Sequence, residues 1–202
     1  MERIIVDGLS FSLPLFIMAI GGIYSEKSGI VNLSLEGFQG FGAFTGAFAA
    51  VFASRSFGAD ATTAYVLAIL FAVIGACVYS LLYALVCIQF KANQTISGVV
   101  LNILATALTA YLTKFLNKRL FEAASDKFVL EVSSRITVPG LSEIPVLGYV
   151  FTDIYPFEIL IVIVAVVAWY VLYKTPYGMN LRACGDNPHA VDAAGLPLGR
   201  VR

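Results

Sequence analysis

Charge is what this chain has least of. Only 13% of its 202 residues are Asp, Glu, Lys or Arg, against about 25% in an ordinary soluble domain. The 13 basic and 13 acidic side chains cancel, so nothing in the balance points to nucleic acid. There is one histidine, His189, and there are three cysteines, Cys77, Cys87 and Cys184. No CxxC pair occurs, so metal and thiol redox chemistry have little support, and no cofactor or metal is expected. Cys77 and Cys87 share one apolar run. On a helix about 15 Å of rise would separate them, too far for a disulfide. No GxxxxGK[ST] loop, HExxH pair or GxSxG elbow is present. That removes P-loop ATP binding and the most recognisable hydrolase chemistries.

What is abundant is apolar surface. Hydrophobic residues make up 59% of the chain, and mean hydropathy is +0.85. Five apolar runs stand out, at 9–24, 30–54, 64–90, 95–116 and 157–173. A helix needs about 20 residues to cross a bilayer, with roughly 17 as a lower limit. The first run reaches that length by borrowing residues 4–8. Ser25-Glu26-Lys27-Ser28 after it lacks a small-x-small cleavage pattern, so it reads as a retained span. Continuous apolar runs satisfy their backbone groups as helices, whereas barrel strands would alternate. The expected fold is all-α: a polytopic integral membrane bundle over 1–202, with a mixed-charge external loop at 117–156.

The second run is unusual. Asn32, Ser34, Glu36 and Gln39 crowd its first half, followed by glycines at 37, 40, 42 and 46. This predicts a polar, broken or re-entrant first half leading into a close-packed helix. Gly42 and Gly46 form a small-xxx-small pair that lets a neighbouring helix approach. Glu36 is the sharpest single residue. A carboxylate in an apolar span either faces the bundle interior or a water-filled path, or sits at a helix start where the dipole favours an acid. Asn102 heads a polar stripe with Thr106, Thr109 and Thr113, which either lines a path or joins helices by hydrogen bonds, the commoner use. Gly40–Gly46 reads GxGxxxG with no strand before it, so packing explains it better than a dinucleotide.

Lys and Arg divide six against seven between alternate sides. The short loops at Lys27 and Lys91 lean towards a cytoplasmic first set and an external N-terminus.

Residues 175–202 have a different chemistry. Asn187 can cap a helix, Pro188 suits its first position, Gly195 can close it left-handed, and Pro197 discourages continuation. A two-turn helix over 188–194 follows. It is too short to stand alone and needs a partner to pack on. His189, near Asp186 and Asp192, reads as a surface or interface residue.

These residues carry a resemblance. Residues 28–37, SGIVNLSLEG, are similar to the SG-hVN-hxhEG signature of ABC-transporter permeases. Residues 93–98, NQTISG, with Leu101 and Asn102, resemble the NExISGxxLN segment, with Gln94 in place of the acid. Residues 139–148 resemble an external-loop segment. Residues 175–188 resemble the cytoplasmic TPxGLxLRAxGENP coupling segment, with Asp186 for Glu. The group is that of branched-chain amino acid, ribose and nucleoside permeases, and the form looks most like the nucleoside permeases associated with basic membrane proteins. The resemblance implies a subunit of an ATP-driven importer in a bacterial inner membrane. Its partners would be an ATP-binding subunit, a second permease chain and a solute-binding lipoprotein or periplasmic receptor. Arg182, Asp186, Asn187, Pro188, His189 and Val191 would form the ATPase-coupling surface. Asn32, Glu36, Gln39 and Asn102 are the pathway candidates for a nucleoside or similar small polar solute. Relatives of this kind run longer, so the chain reads as the N-terminal part of one. The alternative is an ion-coupled secondary transporter or channel subunit, with Glu36 coupling a proton.

Overall fold

The computed structural model describes residues 2–122, 125–129, 137 and 154–196. Most of the expected external loop, including 139–148, lies outside them. In chain order the helices are α1 (Glu2–Lys27), α2 (Leu35–Phe57), α3 (Ala61–Ala84), α4 (Gln94–Leu120), α5 (Pro156–Lys174), α6 (Pro176–Asp186) and α7 (Pro188–Ala193). A π-helical turn, Leu85–Gln89, continues α3. No strand occurs among the described residues, and the protein is all-α. Among the described residues, four helices are long and apolar enough to cross a membrane: Val6–Lys27, Ala61–Gln89, Gln94–Leu120 and Pro156–Lys174.

Five crossing segments follow from the sequence, and α2 is the one outside these four. At 23 residues it is about 34 Å long, so length does not disqualify it. Its composition does, through Glu36, Gln39, Arg55 and its glycines. Its packing explains why it tolerates them. The chain folds into two compact units, one of Asn32–Ser134 and one of Met1–Val31 with Arg135–Arg202. In the first unit α2 runs antiparallel along α3. Gly46 lies against Ala68 and Ala72, Gly42 against Ala72 and Ala76, and the Phe38 ring meets Tyr79 and Tyr83 edge-on. Its other flank packs on α4. A helix enclosed on two sides by protein need not be apolar all round.

The small residues are what let the backbones approach. A methyl group on Gly42 would lie 2.8 Å from the Ala72 carbonyl oxygen, and one on Gly46 would lie 2.6 Å from that of Ala68. Opposite them, Gly75 of α3 leaves room for Thr45. The Thr45 hydroxyl donates across the interface to the Phe71 carbonyl at 3.0 Å and to its own helix at Gly42, 2.9 Å. The buried Tyr79 hydroxyl ties α3 to α4 through the Leu101 carbonyl at 2.7 Å.

In the second unit α1 and α5 meet, joined near their C-terminal ends by the Tyr24 hydroxyl on the Ala168 carbonyl at 2.5 Å. Helix α6 packs on both of these ends, and α7 packs on α6.

Candidate functional site

The interruption expected in the first half of the second run is confined to the start of that run. Residues 30–34 are non-helical, and α2 continues unbroken through Glu36 and Gln39. The cause is local. The Asn32 side-chain oxygen accepts from both the Ser34 amide (2.9 Å) and the Ser34 hydroxyl (2.7 Å). This Asx turn competes with helix formation at Asn32 and Ser34. Glu36 falls in the first turn of α2, where the exposed amides favour an acid rather than break the helix.

Ser34 is the N-cap residue but makes no side-chain cap. The cap comes from another helix. Asn102 of α4 accepts from the Gly37 amide at 2.8 Å and donates to the Leu33 carbonyl at 2.7 Å. One amide side chain thus closes the start of α2 and holds the non-helical segment before it. Gly98, one turn earlier on α4, makes room, since a methyl group there would lie 2.9 Å from the Leu33 β-carbon. The Thr106, Thr109 and Thr113 hydroxyls bond back to carbonyls of their own helix.

The four pathway candidates therefore divide. Asn32 and Asn102 spend their polar atoms on backbone and on Ser34. Glu36 and Gln39 are exposed on α2, with no hydrogen bond or ion pair among the described residues. Replacing Asn102 by Ala leaves the buried Gly37 amide unpaired, at about 1–3 kcal/mol, and also releases the exposed Leu33 carbonyl. The expected result is a lower melting temperature in detergent and faster proteolysis at 30–34. Asn102→Asp, which keeps the acceptor and loses the donor, should fall between. Identical melting of all three proteins would show that the staple contributes nothing.

At the other site, the capping reading of 187–195 matches the backbone. The Asn187 side chain accepts from the Ala190 amide at 3.1 Å. Gly195 has φ +79°, and the Gly195 and Leu196 amides bond the Asp192 and Val191 carbonyls at 2.9 and 3.2 Å. This is the paired hydrogen-bond ending of a helix closed by a left-handed glycine. Asp186, Asn187, His189 and Asp192 are exposed and Pro188 is half-buried. Val191 is 6% exposed and turned inward, so it seats α7 on this chain instead of offering an apolar contact outward. The Arg182 guanidinium lies 5.1 Å above the Tyr173 ring of α5.

Helix α6 itself has no counterpart in the sequence reading. Its signal was available, because Thr175-Pro176 repeats the Asn187-Pro188 start. The Thr175 hydroxyl accepts from the Gly178 amide at 3.2 Å. Two glycines seat it. Gly178 lies against the Val171 and Leu172 carbonyls, and Gly185 against the Lys27 carbonyl and the Gly29 amide at the end of α1. Between them Leu181 and Cys184 are buried.

The family of branched-chain amino acid transport system / permease components matches residues 4–202. The chain belongs to that family. Among curated proteins, this permease chain is 37% identical over 195 residues to the guanosine ABC transporter permease protein NupQ of Bacillus subtilis, covering 96% of the chain and 59% of the relative. It is 36% identical over 205 residues to the nucleoside ABC transporter permease protein NupC of Lactococcus lactis, covering 100% and 62%. It is 30% identical over 191 residues to TsgC13 of Haloferax volcanii, named as a candidate glucose ABC transporter permease, covering 93% and 53%. The chain thus spans about three fifths of the length of the first two. No solved structure matches it. Family and apolar helices together make it a multi-pass membrane protein.

Proposed function

We propose that this chain is a transmembrane permease subunit of an ATP-driven importer that carries a nucleoside inward by alternating access. The observation that carries the reading is the family match along 4–202, joined to two relatives named for guanosine and nucleoside transport. In this reading ATP is hydrolysed on a separate subunit, and the permease makes and breaks no covalent bond. A second permease chain completes the pathway in a bacterial inner membrane, and a solute-binding lipoprotein or periplasmic receptor delivers the solute. Glu36 and Gln39 face the solute. Asn32 and Asn102 hold the α2 entrance in shape.

The coupling surface is the α6–α7 pair. The packing of α6 on the ends of α1 and α5 supports a lever, because a push on α7 passes through α6 to both spans. Asp186, Asn187, Pro188 and His189 form the side presented to the ATPase. Arg182 and Val191 hold the pair to its own spans.

The test uses the complete transporter. His189→Cys is expected to crosslink to the ATPase subunit, and labelled guanosine to enter proteoliposomes only with ATP, with unlabelled nucleosides competing. Uptake that needs no ATPase, or that only a sugar or a branched-chain amino acid inhibits, would overturn the reading.

A further inference from the structure

The end of α5 carries a feature that the transport reading uses only as the seat of Arg182. Trp169 and Tyr173 lie one turn apart on its surface, ring centroids 6.4 Å apart, and are 54% and 44% exposed. Each ring holds a cation. Lys174 Nζ lies 5.7 Å from the Trp169 centroid, and the Arg182 guanidinium carbon lies 5.1 Å from that of Tyr173. The result is a ladder of two rings with a positive charge on each. Lys174 is the last residue of a membrane-crossing helix, so the ladder stands where acyl chains meet headgroups, the depth at which Trp and Tyr anchor.

Neither cation has an acidic partner among the described residues. Among the described residues the one ion pair joins Lys114 to Asp126, in the other compact unit. The acids at this end of the α1–α5–α6 unit, Glu26 and Asp186, are exposed and pair with neither. A guanidinium lying over a ring keeps its edge N–H groups free, and Arg182 uses only Nε, in a long 3.4 Å bond to the Gly178 carbonyl. The Lys174 ammonium carries three donors. Both sets suit phosphate oxygens, Arg in a two-pronged fashion. Tyr177 and Met179, on the first turn of α6, are 52% and 59% exposed and add apolar surface of the kind an acyl chain covers.

We propose that Lys174 and Arg182, on the Trp169–Tyr173 ladder, form a binding site for the phosphate of an anionic phospholipid, which clips α6 to the membrane surface. The lipid is favoured over a soluble anion because the rings are exposed at the end of a membrane-crossing helix, a position that puts the charges at headgroup depth. The site depends on the membrane placement of α5 and stands apart from the transport reading.

Trp169 is the sole tryptophan of the chain, so its fluorescence reports on this site alone. The chain is placed in phosphatidylcholine vesicles containing a minor fraction of brominated phosphatidylglycerol or of brominated phosphatidylcholine, brominated near the carbonyl end of one acyl chain. Phosphatidylglycerol is expected to associate at least about fivefold more strongly, with the preference shrinking as salt rises. Lys174→Gln with Arg182→Gln should abolish the preference, and Lys174→Arg should keep it. The salt titration of the parent protein needs no variant, so a misfolded double mutant does not spare the proposal. Equal quenching by both lipids, no quenching by either, or a preference that survives the double substitution would overturn it. Competition by soluble glycerol phosphate as strong as by the lipid would reassign the site to a free anion and also overturn it.

Discussion

Gly46→Ala is expected to separate α2 from α3 and to deplete folded protein, and Gly46→Leu to abolish it. The added methyl group would lie 2.6 Å from the Ala68 carbonyl oxygen and 3.0 Å from the Ala72 β-carbon. The first obstacle is backbone and cannot rotate away. Overpacking of this kind costs about 1–3 kcal/mol, and 2 kcal/mol shifts a folding equilibrium roughly 30-fold. In lipid there is little hydrophobic drive between helices, so the loss of close packing has no large compensation. Gly40→Ala is the matched control on the same helix, since nothing lies within 4 Å of its added carbon. Alanine in place of a mid-helix glycine should be neutral or stabilising by roughly 0.5–1 kcal/mol. The measurement is the folded fraction after detergent extraction and its melting temperature. Equal values for the two alanine variants would show that α2 and α3 do not meet as described.

Gly185→Val should leave the membrane-crossing helices intact and disconnect the surface element. Its side chain would overlap the Lys27 carbonyl, with the Lys27 carbonyl carbon at 2.9 Å and the Gly29 amide at 3.2 Å. The C-terminal end of α6, and α7 with it, must lift from α1. If α6 transmits the ATPase stroke, uptake by the complete transporter should fall about 5- to 150-fold, the usual range of a coupling free energy. The amount of inserted protein should stay near that of the parent, and protease cleavage within 186–195 should rise. Val191→Asp should do the same by unseating α7 from α6. Normal uptake by Gly185→Val, with increased cleavage, would show that the seat on α1 is not part of the coupling path.

Much of the functional outline follows from residue types whose physical consequence is local. Asn187, Pro188 and Gly195 set the start and stop of α7, because caps and left-handed glycines act within one turn of chain. The long apolar runs determine helices that cross a membrane, because an unpaired backbone group in lipid is too costly to leave. The resemblance at 28–37 and 175–188 led to the family without any fold.

What only the tertiary structure decided is where each polar group goes. Asn102 reads as a pathway residue or, more commonly, a packing one, and the choice is made only when the Leu33 carbonyl and Gly37 amide are seen on its two sides, contributed by residues more than sixty positions away. Val191 looks available on a short helix until α6 is found beneath it. The glycines at 178 and 185 become seats only because α1 and α5 end beside them. Capping and burial of a long run are nearest-neighbour effects along the chain, so one sequence suffices to read them. The partner of a side-chain amide, and the space a missing β-carbon leaves, are set by another helix, and that requires the packed fold.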